Sequence, residues 1–286
     1  MNVFGNFFLG SIANALIAII SSLLLLFNVS SERKQPETLD VSDYRIVFNE
    51  EFDGASLNEA VWSPHEPDSV RKGGYWCFDQ ASVGDGCLTI RTEYKDDGKF
   101  GAGWYTAGVS TRNSFMYNYG YYECRCKLPK GQGLWSAFWL MNPNVGNTDY
   151  TATDGAEIDI FESPYYYLGG TLKNKVTHNV HYNGYGLETR YSNVGITSIA
   201  NDPYENFNTY GLLWTPDCYI FYVNGKEVGR SAFGGVSTQP EYMILSCEVD
   251  GAEHTPTMGW SGCISLNGKD FTADFVVDYV RVYSLD

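Results

Sequence analysis

Apolar and polar residues alternate with a period of two through most of the chain beyond residue 43, and that rhythm predicts strands. The clearest runs come first as CLTIRTEY (87–94), YTAGVSTR (105–112), YGYYECRCKL (119–128) and WSAFWLM (135–141). AEIDIFES (156–163), VTHNVHY (176–182), YGLLWTP (210–216) and YIFYVNG (219–225) follow, and EYMILSCEV (241–249) and DFVVDYVRVYS (274–284) close the set. Turn clusters such as KDDGKFGAG, PKGQG, NPNVGNTD and SLNGKD separate them. Asn224-Gly225, between YIFYV and KEVG, marks a two-residue hairpin. Short spacing and no amphipathic helix predict an all-β domain, a sandwich or barrel. A two-sheet sandwich with long curved strands is the economical solution, one concave sheet carrying many aromatics as a cleft for a polymer. The run after Asp274 is apolar along most of its length, as a strand covered on both faces would be.

Residues 7–27 (FFLGSIANALIAIISSLLLLF) break the rhythm. The run is long enough to span a bilayer, although Gly10, Ser11, Asn14, Ser21 and Ser22 dilute it. Val29-Ser30-Ser31 offers small residues for cleavage. No Lys or Arg precedes the run, and Arg33-Lys34 follows it, so a retained anchor would leave the main domain in the cytoplasm. Residues 1–31 are therefore read as a signal peptide or membrane anchor. Secretion is the first expectation and anchoring through residues 7–27 the second. Residues 32–42 (ERKQPETLDVS) read as a polar linker, and 43–286 as one domain.

Composition narrows the partner. The 286 residues are 44% hydrophobic, 16% aromatic and only 19% charged, enough for one large core. Acids exceed bases by 34 to 19, a net charge of −15, which excludes nucleic acid and argues against polyanions such as sulfated polysaccharides. With 30 Gly, 22 Tyr and 7 Trp, tight turns and flat amphipathic surfaces suit a neutral hydroxylated ligand better. Seven Cys is an odd count: Cys77, Cys87, Cys124, Cys126, Cys218, Cys247 and Cys263. Cys124 and Cys126 share one strand face and do not pair readily. Metal-type spacing is absent. Most are expected as small buried hydrophobes, with Cys77–Cys87 the one bridge to consider.

The densest chemistry is Gly155-Ala156-Glu157-Ile158-Asp159-Ile160-Phe161-Glu162-Ser163. On a regular strand Glu157 and Asp159 share a face, while Glu162 falls on the opposite one. A one-residue bulge near Ile160-Phe161 restores Glu162 to their side. The two Glu then stand four strand steps apart, roughly 13 Å, and leaning side chains bring the carboxyls to roughly 5–6 Å. Retaining glycoside hydrolysis needs about 5–5.5 Å, with one carboxylate ionised to attack the anomeric carbon and the other protonated for the leaving oxygen. Crowding of three carboxyls helps keep one protonated. The competing reading is a solvated sheet face.

This segment resembles the bulged ExDxxE form of glycoside hydrolase family 16, the laminarinase and lichenase group. EEFDGASLNEAVW (50–62), YTAGVSTRNSFMYNYGYYECRCKLPKGQGLWSAFWLM (105–141), YGLLWTPDCYIFYVNGKEV (210–228) and VVDYVRVY (276–283) extend the resemblance over residues 46–284. It implies a concanavalin A-like jelly-roll sandwich with a concave cleft. It also implies Glu157 as nucleophile, Asp159 as its assistant, Glu162 as acid/base, and retaining endo-hydrolysis of β-1,3- or mixed β-1,3/1,4-glucan. Some members carry Arg where this chain has Val109.

Trp135 and Trp139 share one strand face and are candidates to stack on sugar rings. Trp76 in GGYWCFD is a loop aromatic with the same candidate role, while Trp214 reads as core. In the family a His on the neighbouring strand lies near the acid/base, which points to His181; His178 reads as structural. Asn183 and Tyr185 could donate hydrogen bonds to sugar hydroxyls, although turn chemistry explains Asn183-Gly184 as easily. Many members hold a structural Ca²⁺, for which Glu51 and Asp278 are the candidates here, with further oxygens needed. Catalysis itself needs no cofactor. The expected partner is a β-glucan, with no nucleic acid, a membrane only if the N-terminal run is retained, and a monomer as the working unit. A lichenase, agarase, carrageenase or transglycosylase specificity is the alternative, and a non-catalytic sugar-binding sandwich the one from another class.

Overall fold

The computed structural model describes residues 39–167, 170–251 and 260–285. The apolar run 7–27 and residues 32–38 of the expected linker lie outside the described residues. Residues 36–286 form one compact unit. Among the described residues the regular structure is strand with three short 3-10 turns, and no helix is long and apolar enough to cross a membrane.

Two large sheets face each other, as the alternating pattern predicts: one of eleven strands and one of eight. The last strand, Thr272–Ser284, runs through the middle of the eleven-stranded sheet, pairing with Gly120–Lys127, Cys87–Gly98 and Arg45–Glu50. It is not covered on both faces as its apolar run suggested: Phe275, Val277, Val280 and Val282 are buried, whereas Val276, Asp278, Arg281 and Tyr283 on the other face are partly exposed. The eight-stranded sheet runs from Arg190–Ser198 through Lys175–Tyr182, Glu157–Pro164, Leu134–Met141 and Glu241–Val249 to Gly108–Ser110 and Ser63–Pro64. Between the sheets a single large core packs Phe138, Ile158, Ile160, Phe161, Tyr210 and Phe275 among others. Asn224 and Gly225 both take left-handed φ, 49° and 71°, as the two-residue hairpin requires.

Some details differ from the sequence reading. The expected strand 105–112 is two strands, Gly101–Thr106 in one sheet and Gly108–Ser110 in the other, so the chain changes sheets at the fully buried Ala107. Trp76 is not in a loop: Gly74–Trp76 is a strand parallel to Gly101–Thr106. The edge strand Arg190–Ser198 went unpredicted because RYSNVGITS carries few apolar residues, as an edge facing solvent on one side permits. All seven cysteines are free thiols, with Cys77, Cys124, Cys126 and Cys247 buried, so Cys77 and Cys87 form no bridge.

Candidate active site

The acid strand Glu157–Pro164 carries the bulge. Against Leu134–Met141, Phe138 faces Phe161 and Trp139 faces Asp159, which leaves Ile160 without a partner. On the other side Asp159 faces Asn179 and Glu162 faces Thr177. The sequence forces this irregularity. In a flat strand Phe161 would lie on the face of Glu157 and Glu162 would point into the core. Burying an apolar side chain of that size stabilises by about 1.5–3 kcal/mol, and an unpaired carboxylate in the core costs several kcal/mol. With the bulge, Ile160 and Phe161 are both fully buried in the core.

The result is a groove of about 920 Å³ lined by Glu157, Asp159 and Glu162 together with Ala137, Trp139 and Met141 of the neighbouring strand. His181, Asn179 and Thr177 stand opposite the three acids on the other side, and Tyr191, Asn193 and Ile196 of the edge strand extend the wall. His181 Nε2 lies 3.3 Å from Asp159 Oδ2 and 3.9 Å from Glu157 Oε1. Its ring stacks on Tyr191 at 5.7 Å. The Tyr185 hydroxyl donates to Glu157 Oε2. Asn179 Nδ2 donates to Glu162 Oε2, and Asn193 Nδ2 donates to Asn179 Oδ1 at 2.8 Å.

Proton affinities are unequal across the site. Burial, then the charge of Asp159, raises Glu157 to about 7, against the pull of His181 and the Tyr185 phenol. Burial and the charges of Asp159 and Glu157 push Glu162 well above the ordinary carboxylate range. For His181 burial favours the neutral ring, but contact with Asp159 and the charges of Glu157 and Glu162 outweigh it, lifting its pKa to about 9. Glu157, Asp159 and His181 hold three potential ligand atoms within 4.8 Å of one another. The acids that lift His181 favour its protonated ring, so a cation bound by this trio would have to displace that proton.

The groove is also lined by Trp135, Trp260, Glu248, Arg71, Lys72, Glu66 and His65. Trp135 meets Trp260 edge to face at 4.6 Å, and the Lys72 ammonium lies 5.2 Å from the Trp135 ring centre. Arg71 Nε donates to Glu248 at 2.9 Å. Trp139 donates its indole proton to Ser246 at 3.1 Å, and His65 meets its ring at 5.4 Å. Burial first, then Arg71 and Arg112, lower His65 to about 4, so it is neutral.

Of the residues singled out from sequence, Glu157, Asp159, Glu162, Trp135, Trp139, His181 and Tyr185 are brought together in this groove. Trp76 and Asn183 do not line it. Trp76 is 2% exposed and gives its indole proton to the Cys247 carbonyl at 2.8 Å, behind His65. Asn183 is 2% exposed in a left-handed turn, its side-chain oxygen accepting from the Tyr150 amide at 3.1 Å. Glu51 is held by Arg281 at 2.8 and 3.0 Å, and Asp278 by Arg125. An ion bridging those two acids would have to displace both arginines. Val109, where some relatives carry Arg, is fully buried in the core. Sequence reasoning missed Asn179, Asn193, Arg71 and Lys72; Asn179, two residues before His181, was open to the same parity argument that found the acids.

The family described as Beta-porphyranase A-D, GH16 domain, matches residues 47–285. The endo-1,3-1,4-beta-glycanase EglC of Rhizobium meliloti (strain 1021) is 31% identical over 273 residues, covering 87% of this chain and 53% of its own. The keratan-sulfate endo-1,4-beta-galactosidase of Sphingobacterium multivorum is 27% identical over 260 residues, with 87% and 57% covered. Among solved structures, the endo-beta-1,3-glucanase from Pyrococcus furiosus superposes with a TM-score of 0.66 at 26% identity, covering 84% of this chain and 94% of that one. The chain spans about half the length of the curated relatives it matches.

Proposed function

Because the chain belongs to glycoside hydrolase family 16, we propose that it is a retaining endo-glycosidase with Glu157 as nucleophile, Glu162 as acid/base and Asp159 as the nucleophile's assistant. Its proposed substrate is a β-linked galactan of the agar and porphyran kind. The observation that carries the chemistry is the bulge that turns three acids into one groove with unequal proton affinities. Glu162, pushed well above the ordinary carboxylate range, is protonated before reaction and gives its proton to the departing glycosidic oxygen. Glu157 attacks the anomeric carbon and forms a glycosyl-enzyme. Water, deprotonated by Glu162, then releases the sugar with its configuration retained. Asp159, two residues from Glu157 on the same face, and His181 beside both balance charge as Glu157 loses its own during attack. These steps need no metal or organic cofactor, and one chain supplies every group.

Substrate class rests on different observations. The net charge of −15 weighs against sulfated polymers only if the groove shares it. Arg71 and Lys72, which stand far from the acid strand in sequence, line the groove beside Trp135 and Trp260. A cation next to an indole face suits a sugar ring bearing an anionic group. The porphyranase family match and the galactosidase relative favour the same reading. The β-1,3- and β-1,3/1,4-glucan reading keeps its support from the glycanase and glucanase relatives. A polymer of either kind is met outside the cell, which favours an export or surface role for residues 7–27.

Product profiling on porphyran, agarose, laminarin, lichenan and xyloglucan tests the proposal. Porphyran or agarose is expected to yield oligosaccharides with β-configured new ends, and Glu157→Gln and Glu162→Gln are each expected to lose at least about 10³-fold in rate while remaining folded. Cleavage of laminarin or lichenan alone would overturn the galactan reading. Binding of every polymer with no reducing-end release would overturn the enzymatic one.

A further inference from the structure

The bulge leaves one backbone group over. Ile160 has no counterpart on Leu134–Met141, and on Lys175–Tyr182 the pair Ile160 and Phe161 together oppose His178. Ile160 is fully buried, so its carbonyl has no access to water and must find a partner inside the protein. His178 provides one. Its side chain points to the core side of Lys175–Tyr182, is itself 0% exposed, and brings Nδ1 to 2.6 Å from the Ile160 oxygen. Its Nε2 lies 2.9 Å from Thr197 Oγ1 on the edge strand. Burial keeps the imidazole neutral, lowering its pKa to about 4 against the opposing effect of the Ile160 bond. A carbonyl only accepts, so the single ring proton lies on Nδ1, and the Thr197 hydroxyl donates to Nε2.

We propose that His178, its tautomer fixed by Thr197, is a positioning residue of the active site: by holding the Ile160 carbonyl it holds the bulge that turns Glu162 to the side of Glu157. Burial alone requires both ring nitrogens to be engaged; what singles out His178 is that its Nδ1 partner is the one unmatched residue of the acid strand. The edge strand then supports the acid/base from two sides of its neighbour. Thr197 acts through His178 beneath the sheet, and Asn193 acts through Asn179 in the groove.

The inference rests on the reading of Glu157 and Glu162 as the reacting pair, and the experiment separates the two. His178→Leu, His178→Asn and Thr197→Val are compared with the wild type in melting temperature, in kcat and KM on the polysaccharide the wild type cleaves, and in the carbon-13 titration of the Glu162 carboxyl. His178→Leu, which leaves the carbonyl unpaired, is expected to lose about 10²-fold in kcat with KM within about twofold, the cost of a misplacement near 1 Å. His178→Asn, whose amide reaches the same oxygen, is expected to recover to within about tenfold of the wild type, and Thr197→Val to fall between. The Glu162 titration is expected to move towards the ordinary carboxylate range in the order Leu, Val, Asn. A folded His178→Leu with wild-type kcat overturns the proposal, as does wild-type kcat in Thr197→Val should the leucine variant fail to fold. If the wild type cleaves no polysaccharide, the functional reading fails, and an unmoved Glu162 titration in the variants would still overturn the inference.

Discussion

Replacing Tyr185 with Phe removes one proton donor from Glu157 and leaves the ring in place. The phenol donates to Glu157 Oε2 and so favours the ionised form that attacks, while burial and Asp159 disfavour it and hold the group at about 7. A hydrogen bond to a charged group contributes about 1.5–3 kcal/mol, and water replaces part of it at this half-open loop, leaving about 1.4 kcal/mol, or one pH unit. The acid limb of kcat/KM, which reports the free enzyme, is therefore expected to move up by about one pH unit in Tyr185→Phe. Near pH 6 the ionised fraction of Glu157 then falls by about tenfold. On the plateau above both values the loss is expected to be small, because a phenol that only tunes ionisation has no further part once Glu157 is charged. The assay is reducing-end release from about pH 4 to 9 at substrate well below KM. An acid limb that stays where it is, with a uniform loss across the range, would refute this reasoning and make Tyr185 a substrate contact instead.

Glu241 is fully buried and raised from the ordinary 4.5 to about 8 by burial, although the Ala156 amide donates to it at 3.1 Å. Its folded-state pKa lies above the unfolded one, so the stability it contributes is complete below about 4.5 and is lost as pH rises through about 8, by at most about 1.4 kcal/mol per pH unit. Glu241→Gln is expected to melt near the wild type at pH 5 and above it at pH 9; a difference independent of pH in calorimetry would contradict this. Lys72→Gln keeps the side-chain class at a left-handed φ of 52° while removing the charge beside Trp135. About a tenfold loss of kcat/KM on a sulfated galactan is expected, with little change on neutral agarose, and equal losses on both polymers would count against an anion subsite.

How much of this was visible beforehand follows from which interactions are local. The acid strand could be read because both its apolar core face and its three acids lie within nine consecutive residues, and Ile160-Phe161 admits only one arrangement that buries both. The places of Trp135 and Trp139 in the groove followed from parity on the next strand. Trp76 misled because GGYWCFD looks like a turn-rich loop, whereas its strand pairs in parallel with Gly101–Thr106, a contact that no short-range pattern encodes. Asn183 misled for the opposite reason: Asn-Gly is sufficiently explained by its left-handed turn, and burial then spends its side chain on Tyr150. The edge strand Arg190–Ser198 was invisible because its work is polar. Asn193 meets Asn179 in the groove wall and Thr197 meets the buried His178, and hydrophobic periodicity carries no trace of either contact.

Net charge bears on a ligand only over a definable length. A net charge of −15 describes the whole surface, but screening at physiological salt limits the reach of an exposed charge to about 8 Å. What a sugar residue at Trp135 meets is therefore the local set: Lys72 over the indole, Arg71 with Glu248 and Glu66, and His65 held neutral. Arg71 is largely balanced by its acids, whereas Lys72 stands on the aromatic face where a ring would dock. An acidic protein can thus present a cation in the same groove as a triad of acids. The two sets are not isolated from each other: the charge of Glu248, which Arg71 holds, already adds to the rise of Glu157, so an anion bound beside Lys72 is expected to raise it further rather than leave it unchanged.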